Sequence, residues 1–291
     1  MLSVRVLVTG AGGQIGKALL RSAPPGAQPI GLTHAELDIG DEGAVADCLE
    51  RHAVEVIVNA AAYTAVDRAE TERELAARVN SLGPANLAAQ AARLGARLVH
   101  LSTDFVFDGS SSLPYRPESP AHPLNVYGET KRAGEVAVLR ALPENSVVLR
   151  TAWVYAVDGR NFVRTMLRLM AANRSVRVVC DQVGSPTSAR SAARAVWRII
   201  EQPELVGVHH WTDAGVASWY DFAVAIAEEG AGLGLLPEDV VVTPVSTAEY
   251  PTPARRPPFS VLDRSSLASL DLEAVHWRRA LRSVLRELRD A

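Results

Sequence analysis

The chain has 291 residues, 48% of them hydrophobic and 22% charged, with a formal net charge of −3. This length holds one large α/β domain or a domain with a smaller appendage, and the slight negative balance argues against nucleic acid or an anionic membrane as the principal partner. Two cysteines, Cys48 and Cys180, make no disulfide framework and fit a reducing compartment. Residues 1–5 run straight into a strand pattern without the charged and apolar regions of a signal peptide, and no apolar run is long enough to span a bilayer. The expectation is a cytoplasmic enzyme or binding protein.

Residues 4–9, Val-Arg-Val-Leu-Val-Thr, form a short β-branched run stopped by Gly10, which reads as a buried parallel strand. A glycine-rich turn follows and a helix opens near Lys17. Strands are expected at residues 29–33 and 54–59, with a helix at 42–52 between them. Residues 75–94 are alanine-rich with helical spacing, and Gly83-Pro84 is expected to kink or break that helix. Residues 97–102 give the next strand. This alternation predicts an α/β fold built on a doubly wound parallel sheet. Residues 108–123 are rich in Ser, Pro and Gly and form a loop. It leads to a helix carrying Tyr127 and Lys131, then to a strand at 147–150. Beyond Thr151 the alternation decays into helices at 162–172, 188–200 and 219–229. The proline-rich stretch 243–259 is expected to be extended or looped. In the tail, Trp277, Leu281, Leu285 and Leu288 share one helical stripe that packs into a core.

Three groups of residues carry chemistry. Gly10, Gly13 and Gly16 are spaced by three between the first strand and the first helix. A strand, a glycine turn and a helix start together make a phosphate site, because backbone N–H groups and the helix dipole face the anion. This spacing differs from the usual G-x-G-x-x-G. An acidic residue about 20 positions on normally binds the ribose 2′-hydroxyl. Here the second strand ends Leu32-Thr33-His34 with no carboxylate, so a 2′-phosphate is tolerated. Thr33 and His34 either hydrogen-bond that phosphate or face solvent, and no arginine sits beside them. Asp38, followed by Ile39, either contacts the adenine or caps a helix.

The second group is Tyr127 and Lys131, four residues apart and therefore on one helix face. An ammonium held there lowers the phenol pKa, making the tyrosine an acid or base near neutral pH. The third is Ser102-Thr103-Asp104 at a strand end, where ligands of open α/β sheets bind. His100, His209 and His210 lack ligand spacing with acids or cysteines, so no metal site is expected. There is no G-x-S-x-G elbow for hydrolysis.

Glycines spaced by three, Asn59-Ala60-Ala61-Ala62, the strand-end Ser-Thr and the Tyr-Lys pair resemble the extended short-chain dehydrogenase/reductases. Asn59-Ala60-Ala61-Ala62-Tyr63-Thr64-Ala65-Val66-Asp67, Ser102-Thr103-Asp104-Phe105-Val106-Phe107-Asp108-Gly109 and Pro123-Leu124-Asn125-Val126-Tyr127-Gly128 narrow the match. So do Arg150-Thr151-Ala152-Trp153-Val154-Tyr155, Asn161-Phe162, Asp181-Gln182-Val183-Gly184-Ser185-Pro186-Thr187 and the late Arg256-Pro257. Together they resemble the dTDP-4-dehydrorhamnose reductase family.

The resemblance implies a Rossmann-type sheet over residues 1–150, rejoined by segments near 186–212, and a smaller substrate-binding α/β lobe formed mainly by 151–291. It implies NADPH-dependent reduction of the 4-keto group of a nucleotide-linked 6-deoxyhexulose to dTDP-L-rhamnose, used in polysaccharide synthesis, with NADH as the other possible cofactor. Thr103, Tyr127 and Lys131 take the catalytic roles. Gly10, Gly13, Gln14, Ile15 and Gly16 form the pyrophosphate turn. Thr33, His34, Asp38 and Ile39 lie at the adenosine end, while Ala61, Ala62, Tyr63 and Leu101 line the cofactor cleft with Tyr127 and Lys131. Thr103, Asp104, Trp153, Asn161, Gln182 and Arg256 face the substrate. The implied partner is a small nucleotide sugar, with neither nucleic acid nor membrane involved, and the chain is a monomer or homodimer. Some members hold an interfacial magnesium at positions that look like Ala18 and Arg190 here, so no metal is implied. The alternatives are a reductase of another nucleotide-linked 4-keto sugar, or a non-catalytic subunit similar to the β subunit of methionine adenosyltransferase. The intact Thr103, Tyr127 and Lys131 set separates the reductases from that subunit.

Overall fold

The computed structural model describes residues 4–290. The chain begins β1 (Val4–Thr9), α1 (Gln14–Arg21), β2 (Ala27–Leu32), α2 (Glu42–His52), β3 (Val56–Asn59), α3 (Val66–Ala69), α4 (Arg73–Ala77), α5 (Gly83–Leu94), β4 (Arg97–Thr103), α6 (Val126–Ala141) and β5 (Ser146–Thr151). It continues β6 (Val154–Tyr155), α7 (Phe162–Asn173), β7 (Ser175–Val179), β8 (Val183–Gly184), β9 (Thr187–Ser188), α8 (Ala189–Ile200), β10 (Gly207–His210), β11 (Ala217–Ser218), α9 (Trp219–Gly232), β12 (Val241–Val245) and α10 (Trp277–Arg289).

Among the described residues, six strands form one sheet in the order β2-β1-β3-β4-β5-β10, every neighbouring pair parallel. The doubly wound sheet expected from the alternation is present. Successive side chains of a strand point to opposite faces, so an apolar run such as β1 needs cover on both. Val6 and Val8 pack with Leu19 of α1 and with Val196, Trp197 and Ile199 of α8. Leu7 packs on the other face with Leu49 of α2, Leu87 of α5 and Val138 of α6. Strand order reverses between β1 and β3, and the carboxyl ends of the strands there form the crevice in which open α/β sheets bind ligands.

A second core gathers Met166 and Met170 of α7, Phe222 and Ile226 of α9, and Trp277, Leu281 and Leu285 of α10. The stripe read in the tail is therefore buried, with Leu288 half-buried at its end. β7 and β12 pair parallel beside this core. Although they follow residue 186, α8 packs against the first sheet and β10 extends its edge beside β5.

The kink expected at Gly83-Pro84 lies one turn earlier. Residues Arg78–Leu82 form a π-helical turn between α4 and α5, and Pro84 sits in the first turn of α5. Proline has no N–H to give the carbonyl four residues back, and its ring crowds that carbonyl. The widened turn relieves the crowding at Asn80, whose carbonyl oxygen instead faces α6, 2.2 Å from where a Cβ at Gly134 would stand.

Candidate active site

The turn after β1 is built by close backbone approach. Gly10 has φ +65°, and a Cβ there would lie 2.6 Å from the Ala61 nitrogen. A Cβ on Gly16 would stand 2.3 Å from the Gly10 carbonyl oxygen, so α1 starts pressed against the turn. Gly13 is the N-cap of α1 and offers no side-chain cap. The first amides of that helix thus keep no internal side-chain acceptor. Across the switch point, Thr9 Oγ1 donates to Asn59 Oδ1 at 2.7 Å, and the same oxygen accepts the Ala61 N–H at 3.2 Å.

α6 carries the reactive pair. Asn125 caps it, its Oδ1 accepting the Gly128 N–H at 2.8 Å. A Cβ at Gly128 would fall 2.2 Å from the Phe105 carbonyl oxygen. Only a glycine lets the helix start lie this close to the end of β4, and this sets Tyr127 beside Thr103. The Tyr127 ring meets Phe105 edge-on, centroids 5.6 Å apart. One turn on, the buried Lys131 donates from Nζ to the Leu101 carbonyl at 2.6 Å. Behind it, Glu135 accepts from Ser102 Oγ at 2.6 Å and from Arg150 Nε and Nη2 at 2.8 and 2.7 Å. This buried ion pair ties β4, β5 and α6 together.

Burial pushes the Tyr127 phenol up to about 12; the Thr103 hydroxyl lowers it and the Asp104 carboxylate raises it further. The depression expected from Lys131 is absent. The ammonium is turned into the Leu101 carbonyl, and burial itself brings Lys131 down to about 8, opposed by Glu135. Asp104 is buried, and burial pushes its carboxyl up to about 6 against hydrogen bonds that include those of Ser260 and Thr103. Thr103 Oγ1 donates to its Oδ1 at 3.1 Å, while Oδ2 has no hydrogen-bond partner among the described residues.

These groups line a cavity of about 650 Å³. Gly12, Gly13, Gln14 and Ile15 of the glycine turn line it together with Leu101, Thr103, Asp104, Tyr127 and Lys131. Trp153, Arg160, Trp219 and Arg256 line it too. Cavities of about 610 and 460 Å³ beside Trp211 and α8 contain none of the residues expected to serve catalysis, cofactor or substrate. Trp153 has φ +48° and stacks on Trp219, centroids 3.5 Å apart and ring planes nearly parallel. Gly184 leaves room for it, since a Cβ there would lie 2.6 Å from the indole. Arg256 reaches the cavity already paired with Asp67 through two hydrogen bonds of 3.0 and 2.8 Å.

Ala62 joins the lining, while Ala61 is held against Asn59 and Tyr63 gives its hydroxyl to Glu72. Asn161 and Gln182 are not among the lining residues. Asn161 caps α7 and donates to Gln14 Oε1 at 3.0 Å, which joins the glycine turn to the second core. Gln182 is buried and donates to Thr247 Oγ1 at 3.0 Å. At the end of β2, Asp38 accepts the Gly40 N–H and pairs with Arg78 at 2.6 Å. Ile39 is a core residue against Gly83. His34 is exposed. The end of β2 does carry a carboxylate, contrary to the reading from the strand end alone. Glu36 turns back and accepts from Thr33 N–H and Oγ1 at 2.8 and 2.7 Å.

Four further residues were given no role from the sequence. Asn80, presented by the π turn, grips the Tyr63 backbone through its N–H and its carbonyl, and donates to Thr130 Oγ1. Glu70 accepts the Val126 N–H, Asp67 holds Arg256, and Trp219 backs Trp153. Asp67 and Glu70 lie in the acidic stretch after Asn59-Ala60-Ala61-Ala62, which was the available signal; Asn80 and Trp219 had none.

Residues 4–290 match the family model described as RmlD substrate binding domain. A dTDP-4-dehydrorhamnose reductase of Mycobacterium tuberculosis is 43% identical over 290 residues, covering 97% of this chain and 93% of the relative. The spore coat polysaccharide biosynthesis protein SpsK of Bacillus subtilis is 40% identical over 284 residues, covering 97% of each. The crystal structure of the dTDP-4-dehydrorhamnose reductase of Bacillus anthracis in complex with NADP superposes with a TM-score of 0.92 at 34% identity, covering 98% of this chain and 100% of that one. With the family model and these relatives spanning nearly its whole length, the chain belongs to the dTDP-4-dehydrorhamnose reductase family.

Proposed function

We propose that this chain reduces the 4-keto group of dTDP-4-dehydro-L-rhamnose to dTDP-L-rhamnose, with NADPH as preferred cofactor and NADH as a second. The observation that carries the reading is the convergence of Thr103, Tyr127 and Lys131 on one cavity that the glycine turn, Trp153 and Arg256 also line. The residues present fit a dinucleotide. The start of α1 has no side-chain cap, and Gly13, with φ near −79°, keeps the approach to its amides free of a side chain.

When bound, the reduced nicotinamide supplies a hydride to the C4 carbonyl carbon, and negative charge grows on the carbonyl oxygen. Tyr127 gives its phenolic proton to that oxygen as the general acid. Thr103, whose hydroxyl donates to Asp104 Oδ1 in the structure, turns to give a second hydrogen bond where charge develops. Lys131, one turn further along α6, lines the same cavity and offers its ammonium to the bound cofactor. Asp104 carries a proton or a charge next to both hydroxyls. On the substrate side, Arg256 offers a guanidinium to the diphosphate and Trp153 a flat face to the nucleotide. Asn161 and Gln182 hold the walls that carry these contacts. In this reading residues 1–150 with the segment near 186–212 bind the dinucleotide, and 151–291 mainly bind the nucleotide sugar. Among the described residues no helix is long and apolar enough to cross a membrane; the reading places the protein in the cytoplasm, as a monomer or homodimer.

The test supplies purified protein with NADPH and the 4-keto sugar nucleotide made by the upstream dehydratase and epimerase, and identifies the product by NMR. The expected product is dTDP-L-rhamnose with equimolar NADPH oxidation. Absence of NADPH oxidation overturns the proposal.

A further inference from the structure

Glu36 lies at the adenosine end of the proposed cofactor site, where the strand-end sequence gave no carboxylate. Thr33 follows the last residue of β2, whose Leu32 carbonyl accepts the Ala11 N–H of the glycine turn at 3.0 Å. A Cβ on Gly12 would touch the Thr33 methyl at 3.6 Å. Thr33 therefore borders the turn itself, where the adenosine ribose is read in dinucleotide folds. Its N–H and hydroxyl both donate to one oxygen, Glu36 Oε2. Two donors aimed at a single anionic oxygen are what a phosphate oxygen takes up. The other acid nearby is committed elsewhere, since Asp38 is held by Arg78 and by the Gly40 N–H.

We propose that Glu36 is the residue that sets cofactor preference in this chain, its carboxylate filling an anion seat made by the N–H and hydroxyl of Thr33. A 2′-phosphate takes that seat only by displacing the carboxylate and suffers its repulsion. A ribose 2′-hydroxyl leaves the pair intact and donates to it. The inference rests on the proposed dinucleotide site and deepens it: NADPH preference is held down by the chain's own acid, and NADH remains usable. The two hydrogen bonds keep the Glu36 carboxyl below its ordinary range, so the charge persists throughout the working pH range.

A glutamine amide oxygen can accept the same two hydrogen bonds that Thr33 gives to Glu36. Glu36→Gln therefore removes the charge and keeps the turn. The readout is calorimetric binding of two fragments that carry no nicotinamide, 2′,5′-ADP and 5′-AMP, to the wild type, Glu36→Gln and Thr33→Val. One unit of repulsion at contact distance in water corresponds to about fivefold. The ratio of 2′,5′-ADP to 5′-AMP affinity is expected to rise about fivefold or more in Glu36→Gln. It is expected to fall in Thr33→Val, which loses a seat donor, with both variants unfolding at urea concentrations near that of the wild type. An unchanged ratio in Glu36→Gln, with both fragments still bound, overturns the inference and leaves the dinucleotide site standing. Binding of neither fragment to the wild type overturns the site and the inference together.

Discussion

Glu70 Oε1 accepts a hydrogen bond of 2.9 Å from the backbone nitrogen of Val126, the residue immediately before Tyr127. The first N–H groups of a helix have no partner within it, and an acidic acceptor there adds a favourable interaction with the helix dipole. A carboxylate from the end of α3 thus fixes the start of the helix that carries the proposed acid. Because α3 also holds Arg256 through Asp67, one short segment fixes both the start of α6 and an arginine of the cavity lining. Glu70→Ala is expected to cost about 1 kcal/mol of stability, the usual value of a lost N-terminal acceptor. It is expected to lower kcat more than it weakens NADPH binding. Urea unfolding, NADPH titration by fluorescence and steady-state kinetics check this; equal losses in binding and turnover would show that Glu70 does not position Tyr127.

Tyr127→Phe removes the proton donor and keeps the ring that packs edge-on against Phe105. Single-turnover NADPH oxidation is expected to slow by about 10²–10⁴, the range for a general acid. Thr103→Val is expected to slow it less, since Thr103 supplies a hydrogen bond and no proton. Both variants are expected to bind NADPH within a few-fold of the wild type. A Tyr127→Phe protein that turns over normally removes α6 from the chemistry.

The three glycines of the turn are not equivalent. A Cβ at Gly13 meets only the Gly10 carbonyl oxygen, at 3.2 Å, whereas one at Gly16 meets that oxygen at 2.3 Å and the Ala11 Cα at 2.8 Å. Gly13→Val is expected to weaken nucleotide binding with a small change in stability, because its side chain stands over the proposed phosphate seat. Gly16→Ala is expected to destabilise the fold by about 1–3 kcal/mol, the cost of overpacking. Thermal unfolding beside NADPH titration separates the two. A Gly16→Ala protein of wild-type stability contradicts the packing described for the start of α1.

The raised carboxyl of Asp104 makes stability depend on pH. Folded, it titrates at about 6 against an ordinary value of 3.8. Between those values the native state holds a proton that the unfolded chain has lost. Its stabilising contribution is therefore full below pH 3.8, falls as pH rises towards 6, and is gone above. Each unit is worth about 1.4 kcal/mol, so the swing reaches up to about 3 kcal/mol. Asp104→Asn lacks this swing. Urea unfolding at pH 4, 5, 6 and 7 is expected to show the wild type losing stability relative to the variant as pH rises; parallel curves contradict it.

Features that depend on near neighbours in sequence were legible. The β1–turn–α1 unit follows from a β-branched run, glycines and a helix start, and the shared face of Tyr127 and Lys131 follows from four-residue spacing. Contacts across long separations were not. Glu70 acts 56 residues from its partner, and Arg256 meets Asp67 across 189. The π turn came from the crowding of Pro84 against Asn80, which composition marks only as a break. The expected effect of Lys131 on the phenol is absent because burial raises the phenol and the ammonium donates to the Leu101 carbonyl on β4. Glu36 was within reach, since Thr33 followed three residues later by an acid is a helix-start signature. Looking for the acid at the strand end alone passed over it.

The position of β10 at the outer edge of the sheet bears on how the chain is made. β5 lies between β4 and β10, and its Val147 and Leu149 are covered by α8. During synthesis Thr103, Tyr127 and Lys131 leave the ribosome well before residues 189–210. Until those arrive, β5 is an unpaired edge with an uncovered apolar face, the kind of surface that pairs with other nascent chains. Thus the groups proposed for the chemistry emerge ahead of the last part of the sheet that supports them. A chain stalled or cut near residue 150 is expected to be held by chaperones rather than to fold as a smaller nucleotide-binding protein.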